Sequence, residues 1–163
     1  MSRPSADPAA EQAAAPHGDP ARDGTGAAGL PGCDPARAGA FVAVAGLVVD
    51  EASAARVRGH LDLGAHHHTP WGIVNGGVYT TAVESAAAVG ASAAVADRGQ
   101  YAVAVHVSTD LLRSRTGGRA EVVAEPVHQG RSQQLWAVTI HDGRPIARGQ
   151  VRLQNIPLGR GPA

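Results

Sequence analysis

The chain has 163 residues, 44% of them hydrophobic, which suits one packed domain with an extension. Its 14 basic residues, all Arg, balance 14 acidic ones, and a formal net charge of zero gives no basis for a nucleic-acid or anionic-membrane partner. Aromatics make up only 3%, so an Ala- and Val-rich core buries little area per residue and a partner subunit is expected to complete it.

Cys33 is the only cysteine, which excludes an internal disulfide and a Cys-based zinc site. No apolar run approaches the ~20 residues that span a bilayer, and the N-terminus lacks the apolar core of a secretory signal, so a soluble cytoplasmic protein is expected. Residues 1–38 contain Ala, Pro, Gly, Asp and Arg, with Leu30 the only leucine. Such a segment cannot bury enough surface to offset its ordering entropy, and it is expected to be a disordered extension. A single domain follows over 39–157, with a flexible tail over 158–163.

In chain order, the first predicted strand is the apolar run Phe41 to Val49. Ala55 to Leu63 alternates Val57, Leu61 and Leu63 with Arg56, Arg58, His60 and Asp62, the pattern of a half-buried strand. A loop, His66 to Asn75, leads into a helix from Gly76 to about Ala96. That helix is built of Ala, Val and small polar residues, and besides Tyr79 its only ionisable side chain is Glu84. A helix apolar on nearly all faces is expected to be buried. Four strands follow, read as an antiparallel meander: Tyr101 to Thr109, Arg119 to Val127, Gln134 to His141 and Pro145 to Asn155. Thr116-Gly117-Gly118, Gln129-Gly130-Arg131 and Asp142-Gly143 supply the turns, the last a strong hairpin signal. Trp136, Val138 and Ile140 share one face. Arg148, Gln150, Arg152 and Gln154 share a solvated face opposite Ala147, Gly149, Val151 and Leu153. The simplest architecture is α+β, a sheet wrapped around one long helix.

The chemistry concentrates at that helix. Its first turn opens Asn75-Gly76-Gly77, where free backbone amides can bind an anion and glycines let a carbonyl approach closely. Either Gly76 N–H, with or without Gly77 N–H, polarises a substrate carbonyl, or Asn75 is simply an N-cap on a tight entry. A Glu in an otherwise uncharged buried helix is costly unless it reaches a polar cavity. Glu84 therefore marks a cavity, or else it lies on a wet stripe or pairs with an Arg of the sheet. Gly76 and Glu84 stand eight residues apart, about 12 Å at ~1.5 Å per residue. One helix cannot bring both within ~3 Å of one carbonyl carbon. If both act together they come from two chains, which predicts composite sites in a symmetric homodimer or a dimer-of-dimers tetramer.

Thr69-Pro70-Trp71-Gly72-Ile73-Val74-Asn75-Gly76-Gly77, with Glu84 following, resembles the hotdog-fold thioesterases of the phenylacetate/4-hydroxybenzoyl-CoA type. Their form is Gln-Pro-aromatic-Gly-x-x-His-Gly-Gly, then a helix Glu or Asp. His128-Gln129-Gly130-Arg131 resembles their His-x-Gly-Arg turn, and the likeness covers roughly residues 55–155. The resemblance implies a hotdog thioesterase domain over 39–157 that hydrolyses an acyl-CoA or acyl-carrier thioester. It implies Glu84 as nucleophile or general base, Gly76 as oxyanion donor, and Gly130, Arg131 and Ser132 near the CoA, with Arg131 a phosphate partner. Three positions depart from the family: Asn75 replaces its His at the catalytic position, still able to donate to a carbonyl or cap the helix, Thr69 replaces its Gln at the substrate, and Ala88 a helix Ser or Thr found in several members.

Other residues keep two readings. His68 lines the mouth of the site or is a solvated loop His. Trp71 packs the loop or contacts the acyl group, and Trp71 or Tyr79 would suit an aryl substrate. Asp110 positions water, as its region lines the site in relatives, or is a surface strand end. The run His66-His67-His68 does not suit a metal, since consecutive loop His residues cannot all face one ion. No cofactor is expected, CoA being part of the substrate. The alternative functions are a hotdog enoyl-thioester hydratase or dehydratase, and a non-catalytic acyl-CoA binder.

Overall fold

A computed structural model describes residues 39–159. The expectations for residues 1–38, and for the end of the 158–163 tail, lie outside the described residues. The chain forms α1 (Ala40–Ala45), β1 (Leu47–Ala52), β2 (Val57–Leu63), α2 (Gly76–Ala93), β3 (Gln100–Leu111), β4 (Gly118–Gln129), β5 (Gln133–His141) and β6 (Pro145–Pro157). The six strands form one antiparallel sheet in the order β1-β2-β4-β5-β6-β3. The antiparallel sheet and single long helix match the architecture expected from the sequence.

Two expectations change. The apolar run at Phe41 is a short helix, not a strand. Gly46 ends it in the left-handed conformation (φ 74°), and the strand starts only at Leu47. Short apolar runs carry no periodicity that separates the two states. The four later strands are also not a simple meander. β4, β5 and β6 are consecutive neighbours, but β3 pairs with β6 and β4 with β2. The segment Leu112–Gly117 is therefore a crossing over the sheet end rather than a hairpin.

Helix α2 packs one face on the sheet. Tyr79, Ala82, Val83, Ala86, Ala87, Gly90 and Ala91 are buried, the spacing of a single helical stripe. Glycines let helix and sheet interlock. A Cβ on Gly90 would lie 2.4 Å from the Trp136 ring, and one on Gly149 would lie 2.5 Å from Val83. Trp136, Val138 and Ile140 are buried together, as are Ala147, Gly149, Val151 and Leu153, while Arg148 and Arg152 are exposed. Thus the helix is not buried all round within one chain. Gly77 and Glu84 are exposed, and Thr81, Ser85, Ala88 and Ser92 are half-buried, along its open side.

A bulge between Ala104 and His106 reverses the alternation in β3. Ala102 and Ala104 face the core before it and Val107 after it, which leaves Val103 and Val105 exposed. β3 is an edge strand of 12 residues.

Candidate functional site

The loop before α2 is fixed by its own histidines. His67 is buried, its Nε2–H donating to the Val44 carbonyl (3.0 Å) while its Nδ1 accepts from Gly64 N–H (3.3 Å). His68 Nε2–H donates to the Thr116 carbonyl at 2.7 Å. Both residues thus serve as loop anchors. Among the described residues no group of three or more His, Cys, Asp or Glu could hold a metal ion. Thr69 closes a turn, its N–H and Oγ1 both donating to the Ile73 carbonyl (2.7 and 3.1 Å) around Gly72, whose φ is 74°. Val74 N–H donates to the Arg115 carbonyl (2.7 Å) and Asn75 N–H to that of His67 (2.9 Å).

Asn75 is an N-cap, its Oδ1 accepting from Gly77 N–H at 2.8 Å. That bond engages Gly77 N–H. Gly76 N–H has no acceptor among the described residues, so the first turn presents a single free amide. A Cβ on Gly76 would lie 2.4 Å from Leu111 Cδ1, so the helix start sits close against the tip of that exposed side chain at the end of β3.

Glu84 lies on the open side of α2, exposed and without an ion-pair partner among the described residues. Within one chain it faces outward, away from the sheet. No sheet Arg reaches it.

The remaining predicted site residues are spread out. Gly130, Arg131 and Ser132 form the β4–β5 turn at the far end of α2. Asn155 Nδ2 donates to the Gly130 and Arg131 carbonyls (both 3.1 Å), and Gln134 Nε2 donates to Asn155 Oδ1 and to the Ala91 carbonyl (both 2.9 Å). Trp136 Nε1–H completes the network on Gln134 Oε1 (3.0 Å). Asp110 is exposed opposite Arg148, on the sheet face turned away from α2. Trp71 does not pack its loop. It is 83% exposed. Tyr79, a candidate for an aryl contact, instead faces the core. One chain therefore sets the free amide, Glu84 and the Arg131 turn at successive stations along α2, a helix about 27 Å long at ~1.5 Å per residue.

Sequence reasoning missed Arg113, Arg115 and Asp142. Each oxygen of the Asp142 carboxylate accepts from one guanidinium, Oδ1 from Arg113 and Oδ2 from Arg115. The hydrogen bond from Arg113 holds the Asp142 carboxyl below the usual carboxylate range. Burial pushes the Tyr79 phenol up, against the opposing pull of Arg115 and Arg113. No local signal pointed to this cluster, because Asp142 lies 29 and 27 residues from Arg113 and Arg115 in the chain.

A family model described as Thioesterase superfamily matches residues 72–146. "Putative esterase Rv1847" of Mycobacterium tuberculosis is 48% identical over 89 residues, covering 52% of this chain and 64% of that protein. The 1,4-dihydroxy-2-naphthoyl-CoA hydrolase of Listeria monocytogenes is 31% identical over 75 residues, covering 46% of this chain and 60% of that protein. The chain thus spans less than two thirds of the length of these curated relatives. The solved structure of the Mycobacterium tuberculosis protein aligns with a TM-score of 0.70 at 41% identity, covering 74% of this chain and 98% of that one. S. sahachiroi AziG aligns with a TM-score of 0.70 at 39% identity, covering 75% and 100%. No helix among the described residues is long and apolar enough to cross a membrane.

Proposed function

The chain belongs to the thioesterase superfamily and has the hotdog fold, and from that premise we propose that it hydrolyses an acyl-CoA or acyl-carrier thioester to free acid and thiol. The observation that carries this reading is the single free amide of Gly76 beside an amide already capped by Asn75. A lone donor at a helix start stabilises the oxygen of a tetrahedral intermediate. Glu84 either attacks the carbonyl carbon or takes the proton of the attacking water, and the thiol leaves with a proton.

The two groups act across a subunit interface, since α2 runs unbroken between them. The unpaired 12-residue edge of β3, with Val103 and Val105 exposed, supports a second copy as partner. The active unit is then a homodimer, or a tetramer built from two. The Gly130-Arg131-Ser132 turn holds the CoA, Arg131 its phosphates. Thr69 shapes the loop, Trp71 and His68 flank the acyl entrance, and Asp110 contributes across the interface. CoA enters only as substrate.

The hydratase alternative is the poorer match, because the helix start carries Asn75, which cannot exchange a proton, where such an enzyme would pair a His with the helix acid. The test is thiol release from aryl and aliphatic acyl-CoAs. Glu84→Ala is expected to lower turnover by about 10²- to 10⁴-fold. Release that survives this substitution would remove Glu84 from the mechanism. No release by the wild type from any acyl-CoA or acyl-carrier thioester would end the hydrolase reading. A clean monomer by light scattering would contradict the two-chain site.

A further inference from the structure

Asp142 sits in the β5–β6 hairpin, where Asp-Gly needs no further explanation, and its Oδ1 accepts Arg144 N–H (3.4 Å) as turn residues do. Its other contacts reach well beyond the turn. It binds Arg113 and Arg115, both in the Leu112–Gly117 crossing and both only about a quarter exposed. Arg113 also donates to the Arg144 and Pro145 carbonyls (3.2 and 3.4 Å), and Arg115 to that of Gly117 (2.9 Å). The backbone N–H groups of Leu112 and Arg113 donate to the Ile146 carbonyl (2.9 and 3.1 Å). The crossing is thus strapped to the hairpin.

The same crossing holds the loop that ends in Gly76. The Arg115 carbonyl accepts Val74 N–H at 2.7 Å, and the Thr116 carbonyl accepts His68 Nε2–H at 2.7 Å. The positions of those two carbonyls depend on how the Arg113 and Arg115 side chains are held. We infer that Asp142 is a positioning residue for the Gly76 amide, clamping the Leu112–Gly117 crossing from beneath so that Arg115 and Thr116 hold the His68–Asn75 loop in place. This rests on the hydrolase reading for its effect on turnover. The clamp itself is a statement about loop order.

Asparagine separates the two roles of Asp142. Asn-Gly is as good a hairpin turn as Asp-Gly, so Asp142→Asn leaves the turn intact. Its amide offers one acceptor oxygen where two guanidiniums each need one, so one arm of the clamp is lost. Amide hydrogen exchange at Val74 and Asn75 is expected to quicken about tenfold or more, with exchange in the centre of β5 unchanged. Turnover of an acyl-CoA substrate is expected to fall by about tenfold or more with KM within about twofold, since small misplacements of a catalytic donor cost rate. Asp142→Glu, which restores both acceptors, is expected to recover much of the loss.

Wild-type exchange at Val74 and Asn75 in Asp142→Asn would overturn the clamp. Faster exchange with unchanged turnover would overturn the positioning role, since the loop would then not place the donor. If wild type releases no thiol, the hydrolase reading fails and exchange alone decides the clamp. Should Asp142→Asn fail to fold, Arg115→Lys repeats the test, because it keeps the charge but cannot bind Asp142 and Gly117 together as the guanidinium does.

Discussion

At its N-terminal end α2 is anchored by groups that are charged and partly wet, whereas at its C-terminal end it is anchored by groups that are neutral and dry. Arg113, Arg115 and Asp142 retain side-chain exposures of 17–27%. Gln134 and Trp136 are 1% and 0% exposed, and Asn155 is 6% exposed. Ion pairs near solvent contribute modestly and depend on pH and salt. Buried amide networks depend on neither, but breaking one strands polar groups in the core. The end that carries the free amide is therefore adjustable, and the end that carries the Arg131 turn is rigid.

The largest expected effect breaks the rigid end. Trp136→Ala removes the largest fully buried side chain and the donor to Gln134, and should destabilise by about 3–5 kcal/mol in denaturant unfolding. Asn155→Leu follows at about 2–3 kcal/mol, because the Gly130 and Arg131 carbonyls and one Gln134 N–H lose their partner. Exchange should quicken at residues 130–132 but not at Val74. Gly90→Ala should cost about 1–3 kcal/mol by pushing a methyl into the Trp136 ring. In a Trp136→Ala background that cost should nearly vanish, and equal costs in both backgrounds would contradict the interlock.

The two ends were not equally legible in the sequence. Asn75-Gly76-Gly77 and the solitary Glu84 stood out because a glycine pair and a lone charge are rare on an apolar helix. The N-cap and the continuous helix between them followed from those residues. The alternation in β5 and β6 gave the buried faces correctly, since both strands keep a strict period of two. β3 breaks that period at its bulge, so which valines face out was not readable. The crossing Leu112–Gly117 looked like a hairpin because Gly117-Gly118 is a turn signal, and strand order is a tertiary fact that local pattern does not encode. The anchors were invisible for the same reason. Gln134 and Asn155 are 21 residues apart, and Asp142 lies 27 and 29 residues from its two arginines. The helix seemed buried all round because small residues look alike whether they meet a sheet or, as we propose, a second subunit.

The smallest effect is the one that separates the ends by pH. Asp142 has a depressed pKa in the folded chain, chiefly through its hydrogen bond from Arg113. Its contribution is therefore present above the unfolded carboxylate value of about 3.9 and is lost as pH falls through the lower folded value. The groups facing it are its two ion-pair partners, Arg113 and Arg115, and the Tyr79 phenol, which burial pushes up and away from this window. Exchange at Val74 and Asn75, corrected for its intrinsic pH dependence, should quicken below about pH 4. The Gly130–Ser132 turn should show no such step, because its anchors carry no titrating group. Asp142→Asn should abolish the step at Val74, since nothing remains there to protonate. A step of equal size at both ends would mean that acid loosens the fold as a whole, and the contrast between charged and neutral anchors would then have no consequence for α2.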